Sequence, residues 1–218
     1  MVKKVFIVGA TGRVGSQAAL DLAERGVEVY AGGRALDRLP KHENITPIAL
    51  DLAQASVNEL AEKFQGMDSI LFTAGSRGKD LLRIDAFGAV KAMQAAEKSG
   101  VNRFVLLSSM YVLQPEKWQE EPLKSADLEE FNIAKFFADH YLMDSTNLNY
   151  TILQPTGLTE TPYTGKITTE YTNTTQYKNS IPDVAMTLAE IILHPEWTSR
   201  RVIMMTGGDT PIIEAIAQ

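Results

Sequence analysis

One stretch constrains the fold of this chain more than any other: Lys4-Val5-Phe6-Ile7-Val8-Gly9-Ala10-Thr11-Gly12-Arg13-Val14-Gly15. A short run rich in Val, Ile and Phe enters a glycine-rich turn, after which Val14, Ala18 and Leu22 recur every four residues. The run reads as a strand and the recurrence as a helix with a narrow apolar stripe, so the order is strand, tight turn, helix. Gly9 permits the turn out of the strand, Gly12 lets backbone approach a ligand with no Cβ in the way, and Gly15 lets the helix pack closely on the strand. Backbone N–H groups around Thr11, Arg13 and Val14 then open toward that ligand with the helix dipole behind them, which suits a phosphate.

The spacing is Gly-x-x-Gly-x-x-Gly rather than the dinucleotide fingerprint Gly-x-Gly-x-x-Gly. A turn that merely needs glycines is the alternative, and the strand and helix flanking it in the required order argue against that.

The same alternation continues along the chain. Apolar runs at 4–8, 27–31, 45–50, 69–73, 103–107 and 150–153, with a weaker seventh at 201–205, are separated by amphipathic stretches. This is the pattern of βαβ units around a parallel sheet buried on both faces, an α/β doubly wound, three-layer architecture. A long helix is expected over Asp80–Ser99, with Leu82, Ala86, Ala89, Val90, Met93 and Ala96 on its inner face and Gly100 ending it. Tyr163–Asn179, rich in Thr, Tyr and Asn, reads as a loop or lid. At 218 residues the chain suits one domain, with a nucleotide-binding framework over 1–154 and a small, dependent substrate-side cap over 155–218.

The absence of cysteine excludes disulfides, thiolate metal sites and cysteine nucleophiles, and His42, His140 and His194 are too scattered for an imidazole cluster; no metal is expected. With 21 Lys plus Arg against 27 Asp plus Glu and no basic run, nucleic acid is an unexpected partner. No segment reaches the ~18 apolar residues of a membrane span. Lys3 and Lys4 precede an apolar run that stops at Gly9, too short for a signal peptide, so a cytoplasmic protein is expected.

The end of the second predicted strand bears on the nucleotide. An NAD site carries an acid ~20 residues beyond the glycines to accept from the ribose hydroxyls. Val29-Tyr30-Ala31-Gly32-Gly33-Arg34 has none; Arg34 instead offers a charged donor fork suited to a 2′-phosphate, with Arg38 one turn later. NADP(H) is favoured over NAD(H), the alternative being an exposed arginine that stabilises a loop.

With these pieces the sequence resembles the atypical short-chain dehydrogenases/reductases, single-domain Rossmann-like proteins that include biliverdin reductase B-like and nitrogen-repressor-like members. Besides the glycine turn, the resemblance rests on Asp51-Leu52, Thr73-Ala74-Gly75, the run from Gly100 to Ser109, Ala134-Lys135, the run from Tyr150 to Thr159, and the ending Gly208-Asp209-Thr210-Pro211-Ile212. It implies nucleotide across the carboxyl ends of the strands, with Asp51 and Leu52 near the adenine, Thr73, Ala74 and Gly75 along the ribose-phosphate path, and Pro155 among the cofactor contacts. Asp51 as a helix cap and Gly75 as a simple turn are the alternatives.

The superfamily's core members use Ser with Tyr and Lys spaced Tyr-x-x-x-Lys. Here that stretch is Phe131-Asn132-Ile133-Ala134-Lys135, so Lys135 remains and the phenol is missing. The resemblance makes Ser109, with Ser108 close behind, and Lys135 the catalytic candidates. Lys135 interrupts an apolar stripe of Phe131, Ala138 and Leu142, either to meet ribose hydroxyls or as a lysine snorkelling to the helix edge. Phe131 cannot exchange a proton; Tyr111, His140, Tyr141 or solvent would have to.

Three functions follow. The first is an NADP(H)-dependent oxidoreductase passing hydride to a small acceptor such as a flavin, quinone or tetrapyrrole, with Trp118, Tyr163, Tyr171 and Tyr177 available to stack on a planar ring. The second is a non-catalytic NADP(H) sensor with a protein partner. The third is a sugar-nucleotide epimerase or dehydratase, which would need the Tyr-Lys pair, of which only Lys135 is present.

Overall fold

The computed structural model describes residues 2–121, 123–124, 128–171 and 177–218. Seven parallel strands form the body of the sheet: β1 (Lys4–Val8), β2 (Glu28–Gly33), β3 (Ile45–Ala49), β4 (Ser69–Phe72), β5 (Arg103–Leu107), β6 (Asn149–Pro155) and, late in the chain, β10 (Arg201–Gly207). Between β6 and β10 come β7 (Gly157–Thr159), β8 (Lys166–Thr168) and β9 (Lys178–Ser180), and β11 (Thr210–Pro211) follows. The order in the sheet is β11-β8-β10-β6-β5-β4-β1-β2-β3. Chain direction reverses its progress between β1 and β4, the switch point at which open α/β sheets place their ligands.

Period two along the strands explains the two faces. Val5 and Ile7 enter one core with Ala18 and Leu22 of α1 (Arg13–Ala23), while Phe6 and Val8 enter the other. That second core holds Phe64 of α2 (Val57–Phe64), Met93 of α3 (Phe87–Ser99) and Leu142 of α4 (Glu129–Asp144). The first is completed by Leu188 and Ile192 of α5 (Ile181–Leu193), which lies beside α1, then by the short α6 (Pro195–Thr198) and α7 (Ile212–Ile216). This is a Rossmann-like α/β fold in one domain, and residues after Gln154 complete the sheet through β10 as well as flanking the site.

Two expectations need correction. The helix expected over 80–99 is α-helical only from Phe87; Leu81–Ala86 forms a π-helical segment. The wider turn rotates the residues before Ala86 out of phase, so Leu82 is 75% exposed and Asp85 is buried instead. The stretch expected to be a loop over 163–179 contains β8, which pairs antiparallel with β10 and β11, and the start of β9; residues 172–176 lie outside the described residues. Among the described residues no helix is long and apolar enough to cross a membrane.

Candidate nucleotide-binding and active site

A cavity of about 650 Å³ runs along the carboxyl ends of the parallel strands, within the size range of small-ligand pockets. Its middle is the glycine turn. Gly9 has φ +91°, and a Cβ there would fall 2.6 Å from the Cα and N of Ala74, so the turn and the chain leaving β4 touch backbone to backbone. Gly12 precedes α1 without any side-chain cap, and α1 has no acid in its first turn, so its leading N–H groups are left for a ligand. Thr11, Gly12, Arg13 and Val14 line the cavity. Gly15 lies behind that wall: its Cβ would meet the Gly9 carbonyl at 2.4 Å and Thr73 Oγ1 at 2.6 Å, so its role is close packing.

At one end stand Arg34, Arg38, Asp51 and Leu52, with both arginines exposed. Asp51 does not cap α2; Ser56 does, in a reciprocal capping box with Glu59, while Asp51 Oδ1 accepts from Ala53 N. The segment Asp51–Ala55 is held by Lys91, whose Nζ donates to the carbonyls of Leu52 (2.8 Å), Ala53 (3.4 Å) and Ala55 (2.6 Å). Burial pushes the Lys91 ammonium's pKa down, opposed by Asp51 and Glu59. The wall also includes Arg77 and Lys79, which sequence reasoning missed because no motif marks them. Six basic side chains (Arg13, Arg34, Arg38, Arg77, Lys79, Lys135) face two acids (Asp51, Asp85), so a chain of net charge −6 presents a locally positive cleft. Arg13 also pairs with Glu160 at 2.7 Å on the exposed rim.

At the other end, Ser108, Ser109, Phe131, Lys135 and Pro155 line the cavity together; Thr73, Ala74 and Gly75 lie between the two ends. Lys135 is only 4% exposed, so its head does not reach the helix edge. Its Nζ donates to Leu107 O at 3.2 Å and sits 5.7 Å from the Phe131 ring centroid. Burial lowers the ammonium's pKa, and Asp85 and Asp139 act to raise it. Asp85, placed by the π-helical segment, accepts from Ser76 N at 2.9 Å through Oδ2, while Oδ1 is buried without a partner.

Asp139 is the group the sequence did not disclose. It follows Lys135 by one helical turn, is fully buried, and accepts from Ser108 Oγ at 2.7 Å and Gln154 Nε2 at 3.2 Å, both on Oδ2. Burial raises its carboxyl to about 6, against the lowering effects of Ser108, Lys135, Gln154 and His140. A carboxylate at Lys135+4 was the available signal, but a mid-helix aspartate ordinarily faces water.

The other expected donors and stacking rings lie elsewhere. His140 pairs with Asp144 at 3.0 Å, and Tyr141 Oη accepts from Gln94. Tyr111 packs edge-on against Tyr171, whose hydroxyl donates to Gln154 O. Trp118 donates to Tyr111 O and packs on Phe136, and Tyr163 lies near Asp183 and Arg25. None of Trp118, Tyr163, Tyr171 and Tyr177 lines the cavity, so the expected aromatic platform is not formed by them.

A doubly wound sheet, a glycine turn at its switch point and a cationic cleft across the strand ends define an NAD(P)-binding Rossmann protein, and the residues present fit a dinucleotide. The NAD(P)H-binding family profile matches residues 9–195, and the chain belongs to that family. It is similar to the oxidoreductase ylbE from Lactococcus lactis, with 43% identity, coverage of 98% of this chain and 94% of that one, and a TM-score of 0.91. It is 32% identical to YhfK of Bacillus subtilis, named as an uncharacterized sugar epimerase, over 98% of each chain. A chloroplastic protein of Arabidopsis thaliana is 33% identical over 96% of this chain and 79% of its own.

Proposed function

We propose that the protein is an NADP(H)-dependent oxidoreductase that passes hydride to a small, planar, conjugated acceptor whose protonation does not depend on a phenol. The observation that carries this reading is Phe131 in the cavity wall beside Lys135: the lysine is retained while its usual proton-donating neighbour is replaced by an inert ring. When bound, the nicotinamide supplies the hydride. Thr11, Gly12, Arg13 and Val14 would hold the pyrophosphate through backbone N–H groups, Asp51 and Leu52 would flank the adenine, and Arg34 with Arg38 would meet a 2′-phosphate. Lys135 would bind the ribose hydroxyls. Flavins, quinones and conjugated tetrapyrroles are the acceptor classes such a site could serve. An epimerase reading, suggested by the name of the Bacillus subtilis relative, would need the phenol that Phe131 replaces.

The test is purified protein with NADPH and a panel of flavins and quinones. Acceptor-dependent loss of NADPH absorbance is expected; tight NADPH binding without such loss would favour the second reading, a nucleotide-binding sensor that acts through a protein partner. A Phe131→Tyr variant is expected to reduce carbonyl acceptors faster than wild type if the rest of the proton-transfer site is in place.

A further inference from the structure

The cavity wall contains a serine hydrogen-bonded to a buried carboxyl, beside the position where the phenol is missing. Ser108 lines the cavity and its Oγ is 2.7 Å from Oδ2 of Asp139, which is fully buried behind it. Oδ2 also accepts from Gln154, whereas Oδ1 is buried with no hydrogen-bond partner. A proton on Oδ1 would face no acceptor, but on Oδ2 it would face Ser108 Oγ, so the acid form is directed at the serine. With the carboxyl ionised, Ser108 donates inward and offers only lone pairs to the cavity. With it protonated, the same contact reverses and the serine hydroxyl is free to donate outward.

We propose that Ser108 is the proton donor of this site and that Asp139 is the positioning residue that supplies Ser108 with the proton. The inference rests on the hydride-transfer reading above and narrows its substrate class to planar acceptors bearing a carbonyl. As hydride adds to the carbonyl carbon, the C=O π pair moves to oxygen and the nicotinamide is left oxidised. The Ser108 hydroxyl proton goes to that oxygen and Ser108 Oγ takes the proton from Asp139 Oδ2. The products are the neutral alcohol, the serine and the Asp139 carboxylate, which regains its proton through Ser108 from cavity water.

The surroundings suit an aspartate that keeps a proton. Lys135 and His140 on α4 and, beyond Lys135, Asp85 of the π-helical segment are the charged or titratable groups facing it, with Ser108 and Gln154 as neutral partners from the β5 and β6 side. Two buried carboxylates share one buried ammonium, so one extra proton leaves the cluster neutral in a medium that penalises net charge. Below about pH 6 Asp139 carries a proton, because burial raises its carboxyl to that value.

The test uses NADPH with phenanthrenequinone as the carbonyl acceptor, across pH 5 to 8. Wild type is expected to lose kcat as pH rises through about 6. Asp139→Asn and Ser108→Ala are each expected to lower kcat at the acid end by about 100-fold, the scale of general acid catalysis, with KM for NADPH little changed and the pH dependence flattened. Ser108→Thr, which keeps a hydroxyl, is expected to recover most of the rate. A second readout needs no turnover: difference infrared spectra should show a carboxylic acid C=O band that titrates near pH 6, is absent in Asp139→Asn and shifts in Ser108→Ala. Turnover with an unaltered pH profile in Asp139→Asn, or no such band at pH 5, would overturn the proposal while leaving the hydride reading standing. NADPH binding with no reduction of any acceptor by wild type would overturn both.

Discussion

Gly9 and Ala74 meet so closely that a methyl group on Gly9 would lie 2.6 Å from the Ala74 Cα. The contact joins the turn after β1 to the chain leaving β4, on the two sides of the switch point, and both residues line the cavity across the strand ends. Gly9→Ala therefore combines a backbone clash with a side chain at φ +91°. The expected cost is about 2–4 kcal/mol of stability, with a marked loss of NADPH affinity. Gly26→Ala is the control: φ is +80° there but a Cβ meets nothing within 4 Å, so a smaller loss in Tm and unchanged NADPH binding are expected. Equal effects of the two variants on NADPH titrations would show that the Gly9 contact does not shape the site.

Arg34 is exposed at the cavity edge and follows directly on β2, where an NAD site would carry an acid. Arg34→Ala is expected to weaken NADPH binding by about 10- to 100-fold, the scale of one charge-assisted hydrogen-bonding group, and to change NADH binding by less than about 3-fold. Because Arg34 is exposed, the proposed preference for NADPH should also shrink as salt is raised. Fluorescence titration of both nucleotides at two ionic strengths measures this; equal weakening of both would remove Arg34 from the 2′-phosphate site.

How much was legible in the sequence follows from the range of the interactions concerned. The seven parallel strands, α1 and the glycine turn are local patterns of period two, period four and glycine placement, and the structure keeps those strands within a residue or two of expectation. Arg34, Asp51, Thr73 to Gly75 and Lys135 could be named because each sits just past a strand or in a short motif. Asp85 could not, since the extra residue of a π turn leaves no mark in an apolar pattern that continues smoothly into α3. Asp139 was hidden for a different reason: its partners Ser108 and Gln154 lie 31 and 15 residues away, and only the sheet brings them together. The aromatic residues misled because ring type says nothing about which side of a loop a ring packs on.

Lys91 tests whether the Asp51–Ala55 segment is held for binding. Its three carbonyl contacts are the side-chain tether of that segment to α3, and Leu52 also presses on Gly88, where a Cβ would meet its Cδ2 at 2.9 Å. Lys91→Met keeps the length of the side chain and removes the donors. The expected result is a loss of about 1–3 kcal/mol and faster amide hydrogen exchange confined to Asp51–Ser56. NADPH affinity should fall several-fold while the affinity for a nicotinamide mononucleotide fragment stays constant. Unchanged exchange in that segment would show that the tether is redundant.

Asp139 makes a prediction about stability that is independent of any reaction. Its carboxyl is raised from 3.8 to about 6 by burial, so between those values the folded protein holds a proton that the unfolded chain releases. The associated stabilisation is full below the unfolded value and is lost as pH rises through about 6, a change of about 3 kcal/mol at full burial. Lys135 acts with the opposite sign: burial lowers its pKa from 10.5, so its contribution is present above that value and fades as pH falls through the lowered folded value. Asp139→Asn removes the acid-side slope while keeping a polar group of the same shape opposite Ser108 and Gln154. Measured by urea unfolding, the stability of Asp139→Asn relative to wild type should therefore rise from pH 4 to pH 7. A difference that stays flat over that range would mean the Asp139 carboxyl is ionised throughout, and that burial behind Ser108 does not hold its proton.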